Sequence, residues 1–411
     1  MGASRHPDPE HLLEPCEPLI TEVHHMRIFK NPDDTREAIR SSVRALCARF
    51  PPKYWRTLDA QREYPHEFVN ALTEAGLLAA LIPPEYGGTG LGLLEASTIL
   101  GEINHLGGNA SACHAQMYVM NVLLRHGSQE QKNRFLPEIA AGRLRLQAFA
   151  VTEPNSGSDT TAIETSAVKS GDRYIVNGQK IFISRVLQSD LLILLTRTTP
   201  RAEVRKKTDG MSVFLLDLRT TKGLEVRPIR TMLNHATNAL FLENVEVPAE
   251  NLIGEEGKGF SYILDGMNAE RVLVAAEAIG DGQWFIEKAA AYAKERVVFG
   301  RPIGANQGVQ FPIAKAHTAL NAAALMTENA AVLFDSHQAC AAEANMAKYL
   351  AAEAAWEAAN VCMDTFGGYG FAEEYDVERK FREVRLFINA PVSRNMALAY
   401  ISQHVLGLPR S

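Results

Sequence analysis

The chain has 411 residues, of which 46% are hydrophobic and 22% are charged, as expected for a globular protein built from two or three packed units. Its formal net charge of −6 argues against a broad nucleic-acid surface, which needs an excess of Lys and Arg. Five cysteines without C-x-x-C spacing argue against a disulfide scaffold or a metal site and favour a reducing compartment such as the cytoplasm. No apolar run is long enough for a membrane span.

The first two stretches of the chain differ in composition and in the spacing of their apolar residues. Residues 1–31 contain several prolines and lack the pattern of a secretory signal, so we predict a flexible N-terminal extension. Residues 32–146 carry apolar side chains at helical spacing, as at Phe68, Ala71 and Leu72. This spacing predicts an N-terminal helical domain.

Residues 147–255 contain several runs of residues that favour β-strands, which predict a central antiparallel β domain. The segment Arg173–Ser184 consists of two β-rich runs around Asn177-Gly178, which predicts a hairpin. Further strands are predicted at Leu191–Leu195, Val213–Leu218 and Ala239–Val247. No strand leads into a G-x-G-x-x-G sequence, so a Rossmann-type nicotinamide site is not supported.

Residues 256–411 are rich in alanine and predict a C-terminal helical domain, a four-helix bundle. Long helices are expected at Ala314–Leu333 and Glu343–Asp364, the second ended by Gly367 and Gly368. The whole chain is therefore assigned to the α+β multidomain class, with helices, a small β domain, and helices again.

Four motifs stand in a characteristic order. They are Phe149-Ala-Val-Thr-Glu-Pro-Asn-Ser-Gly-Ser-Asp159, Asn177-Gly-Gln-Lys-Ile-Phe-Ile-Ser184, Arg296-Val-Val-Phe-Gly-Arg-Pro-Ile followed by Gln307, and Phe366-Gly-Gly-Tyr-Gly-Phe-Ala. The first motif alone could be any loop rich in Gly and Ser. Together, with these separations, the four resemble the acyl-CoA dehydrogenase family from about Pro32 to the C-terminus.

The resemblance implies an FAD cofactor and assigns residues to it. By position, the residues implied at the flavin, pyrophosphate and adenine are Phe149, Val151, Thr152, Ser158, Phe182, Ser184, Arg296, Phe299, Gln307, Gly367, Gly368, Ser393 and Asn395. In the family, the positions of Arg296, Phe299 and Gln307 reach a cofactor bound mainly by a neighbouring subunit, which implies a homotetramer. Plainer interpretations remain open: Arg296 as a solvated charge, Phe299 as core, and the glycines as a helix end.

The catalytic base is the main departure from the family pattern. Many members take it from a glutamate shortly after the glycine loop, and that position is Pro391 here. The segment Asn268-Ala-Glu-Arg, predicted to begin a long helix, resembles the branch of isovaleryl-CoA and long-chain acyl-CoA dehydrogenases, whose base precedes an arginine. The resemblance therefore implies Glu270 as base and Ser158, Asn268 and Arg271 as substrate residues. Alternatively, Glu270 only favours a helix N-terminus.

The acyl substrate is less clearly indicated. Residues Ser111–Gln116 fall where the family lines the far end of the acyl pocket, and Cys113, His114 and Gln116 are polar for a fatty-acyl tunnel. Only some of them can face inward on a helix, and His114 could equally be surface or core.

The resemblance implies dehydrogenation of an acyl-CoA, with electrons passed to an electron-transfer flavoprotein. A flavin oxidase on the same fold, a non-catalytic FAD-fold binding protein and a DNA-associated relative are the alternatives. The net negative charge disfavours the last of these.

Overall fold

The computed structural model describes residues 34–409, so the predicted extension at residues 1–31 lies outside the described residues. The first described helices bury their apolar faces against one another, and Phe68 and Leu72 of the third helix are fully buried. Their bounds are α1 Asp34–Cys47, α2 Pro52–Gln61, α3 His66–Glu74, α4 Leu93–His105, α5 Ser111–His126 and α6 Gln129–Ala140.

A twisted sheet follows the first helices. Its strands are β1 Leu146–Ala150, β2 Ser166–Ser170, β3 Arg173–Ser184, β4 Leu191–Arg197, β5 Met211–Asp217, β6 Leu224–Pro228, β7 Thr237–Pro248 and β8 Leu252–Ile253. The strand order is β6-β7-β3-β2-β4-β5-β8, with β1 beside β4. Most neighbours are antiparallel, while β4 pairs in parallel with both β1 and β2. The predicted β domain is confirmed, and its sheet is mixed.

The predicted hairpin within Arg173–Ser184 is wrong. These 12 residues form the single strand β3, which pairs along its length with β7 across two irregularities. The Asn-Gly signal marks one of those irregularities: a Cβ at Gly178 would lie 2.5 Å from the Thr165 hydroxyl oxygen, so only glycine fits. The turn lies just before β3 instead: β2 and β3 form an antiparallel pair around Gly171, whose φ is 64°.

Long helices form the C-terminal part. They are α7 Gly259–Glu295, α8 Gln307–Asp335 and α9 Ala341–Phe366, with the short strands β9 Val297–Val298 and β10 Arg301–Pro302 before α8, and the short helices α10 Val377–Val384 and α11 Arg394–Tyr400 after α9. The three long helices pack on one another, α10 packs on α9, and α4 packs on α7. The predicted order of helices, sheet and helices is confirmed.

The start of α7 differs from the expectation. The helix begins at Gly259, before the predicted start at Asn268. Gly259 fits there because an added Cβ would lie 2.7 Å from the backbone of Ser212 in β5. Among residues 34–409, no helix is both long enough and apolar enough to cross a membrane.

Candidate functional site

A central cavity of about 670 Å³ lies where α5, α7, the ends of β1 and β3, and residues 386–396 meet. Both apolar and polar side chains form its wall. Its lining includes Ser111, His114, Tyr118, Gln147, Phe149, Val151, Thr152, Ser158, Phe182, Ser184, Arg185, His235, Met267, Glu270, Val274, Glu277, Asp281, Pro391 and Ser393. We refer to it below as the central cavity.

The loop after β1 is tied to β3 by a buried lysine. Lys180 is fully buried, and its Nζ donates to the Val151 carbonyl at 3.0 Å and to Glu153 Oε1 at 2.9 Å. The Ile181 N–H donates to the Thr152 carbonyl at 3.0 Å. Burial lowers the pKa of Lys180 to about 8. These bonds hold Val151 and Thr152, which both line the central cavity.

The end of β3 carries backbone strain beside the cavity. Phe182 and Arg185 adopt left-handed conformations, with φ of 59° and 58°, which are uncommon for residues with large side chains. The Phe182 ring is 60% exposed, although aromatic rings are ordinarily buried. The Ser184 side chain lies on the same wall. Such strain is typical of functional sites, where the surrounding structure holds it in place.

Glu270 lies well inside α7, about three turns after Gly259. Its side chain is only 8% exposed, and no hydrogen bond reaches its carboxyl group from residues 34–409. Burial raises the pKa of Glu270 to about 7, against an opposing effect of His114, Arg271 and Lys348. Because the charge of a helix N-terminus acts only within the first turn, the alternative of a helix-end charge does not fit this position.

The residues implied near Glu270 divide into two sets. Pro391 and Ser393 line the same cavity as Glu270, and the Ser393 hydroxyl also accepts from the Met396 N–H at 3.3 Å, at the start of α11. Asn268 and Arg271 bond to each other instead, with Arg271 Nη1 donating to Asn268 Oδ1 at 2.9 Å. Neither of the two is among the residues that line the central cavity.

Other implied cofactor residues lie on a second, separate groove. This C-terminal groove, of about 610 Å³, is lined by Tyr292, Arg296, Val298, Ile303, Asp364, Phe366, Gly367, Gly368 and Tyr369. Phe299 is fully exposed beside it, with φ of 52°, so the alternative of a core residue does not hold within this chain. Gln307 and Asn395 are exposed. The implied FAD residues are therefore divided among the central cavity, the C-terminal groove and exposed positions on one chain.

Several cavity residues were not predicted individually. On α5, Ser111, His114 and Tyr118 line the cavity, while Cys113 and Gln116 are buried elsewhere. The helical spacing of these residues was the available signal. On α7 the same signal adds a carboxylate residue: Glu277 follows Glu270 at i+7 on one helix face, and its Oε1 lies 2.9 Å from His114 Nδ1.

Arg185, Gln147 and Asp281 were missed as well. Asp281 Oδ1 lies 2.5 Å from Lys380 Nζ, and burial raises the pKa of Asp281 to about 7. Arg185 and Gln147 are adjacent to the second and first motifs in sequence, but neither belongs to a pattern that would single it out.

Comparisons with known proteins agree with this architecture. The N-terminal, middle and C-terminal domain models of acyl-CoA dehydrogenase match residues 33–143, 148–245 and 257–390. The acyl-CoA dehydrogenase fadE12 of Mycobacterium bovis is 35% identical over 384 residues, 92% of this chain and 97% of that protein. The CarC subunit of the caffeyl-CoA reductase–Etf complex of Acetobacterium woodii is 34% identical over 355 residues, 84% of this chain and 92% of that protein.

A solved structure shares the fold and holds the predicted cofactor. The FAD complex of PigA superposes with a TM-score of 0.85 at 26% identity, covering 92% of this chain and 99% of that chain. The chain therefore belongs to the acyl-CoA dehydrogenase family, which confirms the predicted enzyme class and the predicted FAD cofactor.

Proposed function

We propose that the protein removes two hydrogens from the α and β carbons of an acyl-CoA, with Glu270 as the base for the α-proton. One observation carries the proposal: Glu270 is a buried carboxyl group without a hydrogen-bond partner among the described residues, facing a cavity that also holds the flavin-motif residues. A pKa near neutrality is the optimum for a general base at physiological pH.

The walls of the central cavity suit a flavin ring. The exposed ring of Phe182 offers an aromatic face, and the hydroxyls of Thr152 and Ser184 offer hydrogen bonds to a polar heterocycle. Phe149, Val151, Ser158 and Ser393 would complete this part of the FAD site. When bound, FAD supplies the acceptor for the hydride that leaves the β-carbon.

The residues of this chain then have separate tasks. Ionised Glu270 accepts the α-proton on a carboxylate oxygen. Met267 and Val274 stand before and after Glu270 on the cavity side of α7, and their apolar side chains exclude water from the carboxylate. Desolvation strengthens the carboxylate as a base because it disfavours the charged form. Pro391 lines the same cavity, which supports a base supplied from α7 instead of from residue 391.

Arg271 and Asn268 remain proposed substrate residues. Their mutual hydrogen bond of 2.9 Å fixes the arginine next to the base, and burial lowers the pKa of Arg271. In this arrangement the positive charge of Arg271 acts on the substrate site from beside Glu270. Ser158, which is exposed, is proposed to contact the substrate at the edge of the cavity.

The test is anaerobic reduction of the purified holoenzyme with a panel of acyl-CoA thioesters of different length, branching and cyclic structure. Bleaching of the flavin absorbance by at least one thioester, and its recovery with an electron-transfer flavoprotein, is the expected result. Recovery that requires O₂ instead would identify the oxidase alternative. Failure of every thioester to bleach the flavin would favour the non-catalytic FAD-fold protein.

We further propose that a neighbouring subunit completes each FAD site in a homotetramer. Arg296, Gly367 and Gly368 line the C-terminal groove instead of the central cavity, and Phe299 is a fully exposed aromatic in a strained conformation. Strained residues cluster at active sites and at sites that clamp a ligand. Arg296, Phe299, Gln307, Gly367, Gly368 and Asn395 would contact the pyrophosphate and adenine of the partner-bound FAD.

Subunit mixing tests this arrangement. Glu270→Gln and Arg296→Ala are each expected to be inactive or weakly active as homo-oligomers. Hybrids formed by co-expression should regain activity, because the Glu270→Gln subunit supplies Arg296 to a site with an intact Glu270. Hybrids no more active than the two parents would show that Arg296 does not serve a neighbour's site.

The electron acceptor, the compartment and the domain limits also remain proposals. The CarC relative belongs to an Etf complex, which supports an electron-transfer flavoprotein as partner. The cysteines Cys47, Cys113, Cys340 and Cys362 are free, which suits a reducing compartment such as the cytoplasm. The predicted limits 32–146, 147–255 and 256–411 are supported by the separate family-model matches.

A further inference from the structure

Two buried side chains whose donors have few or no acceptors, Arg185 and Gln147, line the central cavity. Arg185 is 5% exposed and Gln147 is 1% exposed, and both line the cavity. The only hydrogen-bond partner that the described residues give to the Arg185 guanidinium is His235 Nδ1, at 3.3 Å. The Gln147 side-chain nitrogen is buried without any partner there. Buried donors of this kind are costly unless an acceptor reaches them.

The charge of Arg185 is not neutralised by a nearby carboxylate. Among residues 34–409, no carboxylate lies at ion-pair distance from it. The carboxylate that influences it most is Glu277, which already pairs with His114 at 2.9 Å. His235 cannot help, because burial keeps the pKa of His235 well below its ordinary value and the ring neutral. An arginine stays protonated in proteins, so this part of the cavity holds an uncompensated cation.

Neighbouring contacts place these donors close together. The Tyr64 hydroxyl donates to Gln147 Oε1 at 2.7 Å, which fixes the amide and leaves its nitrogen directed away from that bond. Tyr64 and Arg185 also line one small cavity next to the central cavity. The donors of Arg185 and Gln147 therefore belong to one cluster around Tyr64.

The cluster lies away from the base. Glu270 does not line the small cavity that holds Tyr64, Arg185 and His235. Glu277, which influences Arg185, follows Glu270 by two helical turns, or about 10 Å along α7. An acyl chain with its α-carbon at Glu270 would extend along this face toward Arg185.

We infer that the acyl group ends in a carboxylate, which Arg185 and Gln147 bind at the far end of the cavity. The inference rests on the proposed function, since it names the substrate class of that same site: monothioesters of dicarboxylic acids. An anion is favoured over a neutral acceptor because it also compensates the guanidinium charge, and charge-assisted hydrogen bonds are about twice as strong as neutral ones.

The test compares matched thioesters with the holoenzyme under anaerobic conditions. Adipyl-CoA and hexanoyl-CoA differ only at the chain end, as do suberyl-CoA and octanoyl-CoA. For at least one pair, kcat/KM should favour the carboxylate-ended thioester by at least about 100-fold, because a site built to hydrogen-bond a polar group rejects the analogue that lacks it. A ratio near one in both pairs, or a higher kcat/KM for 3-phenylpropionyl-CoA, would overturn the inference.

Two variants locate the effect. Arg185→Met removes the charge at similar size, and Gln147→Glu keeps the oxygen that accepts from Tyr64 while replacing the donor by an anion. Each should lower the ratio by at least about tenfold. Arg219→Met removes an exposed arginine paired with Asp217 and should leave the ratio unchanged. An unchanged ratio in both cavity variants would contradict the assignment.

A binding measurement separates this inference from the proposed function. Calorimetry with the Glu270→Gln holoenzyme should give a lower Kd for adipyl-CoA or suberyl-CoA than for the matched monocarboxylic thioester, and Arg185→Met should abolish that difference. If no thioester reduces the flavin, the proposed function fails, and this Kd ratio still decides the inference. If thioesters reduce the flavin without any carboxylate preference, only the inference fails.

Discussion

The buried carboxyl groups along the central cavity differ in whether they have a hydrogen-bond or ion-pair partner. At one end, Glu270 has no hydrogen-bond partner among the described residues. Farther along the same face of α7, Glu277 pairs with His114 at 2.9 Å and Asp281 pairs with Lys380 at 2.5 Å. Burial raises the pKa of Glu270 and that of Asp281 to about 7 in both cases.

The difference shows that a raised pKa alone does not identify a base. Asp281 is engaged by Lys380, which also approaches Glu383 Oε2 at 3.2 Å, so a substrate proton would have to displace an ion pair. Glu270 can accept a proton without breaking any such contact. The combination of burial, a carboxyl group without a hydrogen-bond partner among the described residues, and a place on the cavity wall distinguishes the proposed base Glu270 from Glu277 and Asp281.

The largest expected effect comes from Glu270→Gln, which keeps the size and removes the basic carboxylate. Flavin reduction by a good thioester should slow by at least about 100-fold, the usual contribution of a positioned base. Stopped-flow absorbance measures it directly. Glu74→Gln, an exposed glutamate at the end of α3, is the matched control. Reduction of the Glu270→Gln enzyme at the wild-type rate would mean that another group takes the proton.

A smaller effect is expected from pH in the unmodified enzyme. Only the ionised carboxylate can take the proton, and burial raises the pKa of Glu270 to about 7. Flavin reduction should therefore fall roughly tenfold per pH unit below that value and level off above it. The measurement is the reduction rate from pH 5 to pH 9. A rate that stays flat down to pH 5 would mean that the base has an ordinary carboxyl pKa.

The stability of the folded protein should respond to pH in the direction opposite to the rate of flavin reduction. The pKa of Glu270 is raised from 4.5 to about 7, so the unfolded chain ionises first and the folded state loses stability as pH rises between these values. Glu270→Gln lacks this penalty and should gain up to about 3 kcal/mol over the unmodified protein above pH 7, with no gain near pH 4.5. Chemical denaturation at both pH values measures the gain. An equal effect at both would exclude ionisation as its cause.

The smallest effect is expected from Lys348→Met. Lys348 is fully buried in α9 with no hydrogen bond to its nitrogen among the described residues, and its charge lowers the pKa of Glu270. Removing it should move the midpoint of the pH profile upward, by roughly one unit or less. Lys315→Met, which breaks the exposed pair with Glu357, should leave the midpoint in place. A downward shift in Lys348→Met would contradict the assigned electrostatics.

The sequence predicted the features that depend on long patterns and on several motifs in a fixed order. The order of helices, sheet and helices followed from periodicity, and α8 and α9 contain the predicted helices Ala314–Leu333 and Glu343–Asp364. The motif around Phe149 and the position of Glu270 both lead to the central cavity. Each of these features depends on many residues, so one residue that departs from the pattern does not hide it.

What the sequence could not predict depends on tertiary contacts. Asn177-Gly178 has the local signal of a turn, yet pairing along the whole of β7 keeps β3 continuous. Arg185 and Gln147 are single polar residues whose roles depend on which helices and strands surround them. The single partner of the Arg185 guanidinium, His235, and the unpaired nitrogen of Gln147 can be recognised only in the folded structure.

The proposed reaction depends on Glu270 being a buried carboxyl group that titrates near neutrality. Infrared difference spectra between the unmodified holoenzyme and Glu270→Gln, recorded as a function of pH, isolate the protonated carboxyl band of this one residue. The band should disappear with a midpoint near pH 7, the pKa that burial gives to Glu270. A midpoint near the ordinary value of 4.5 would contradict it.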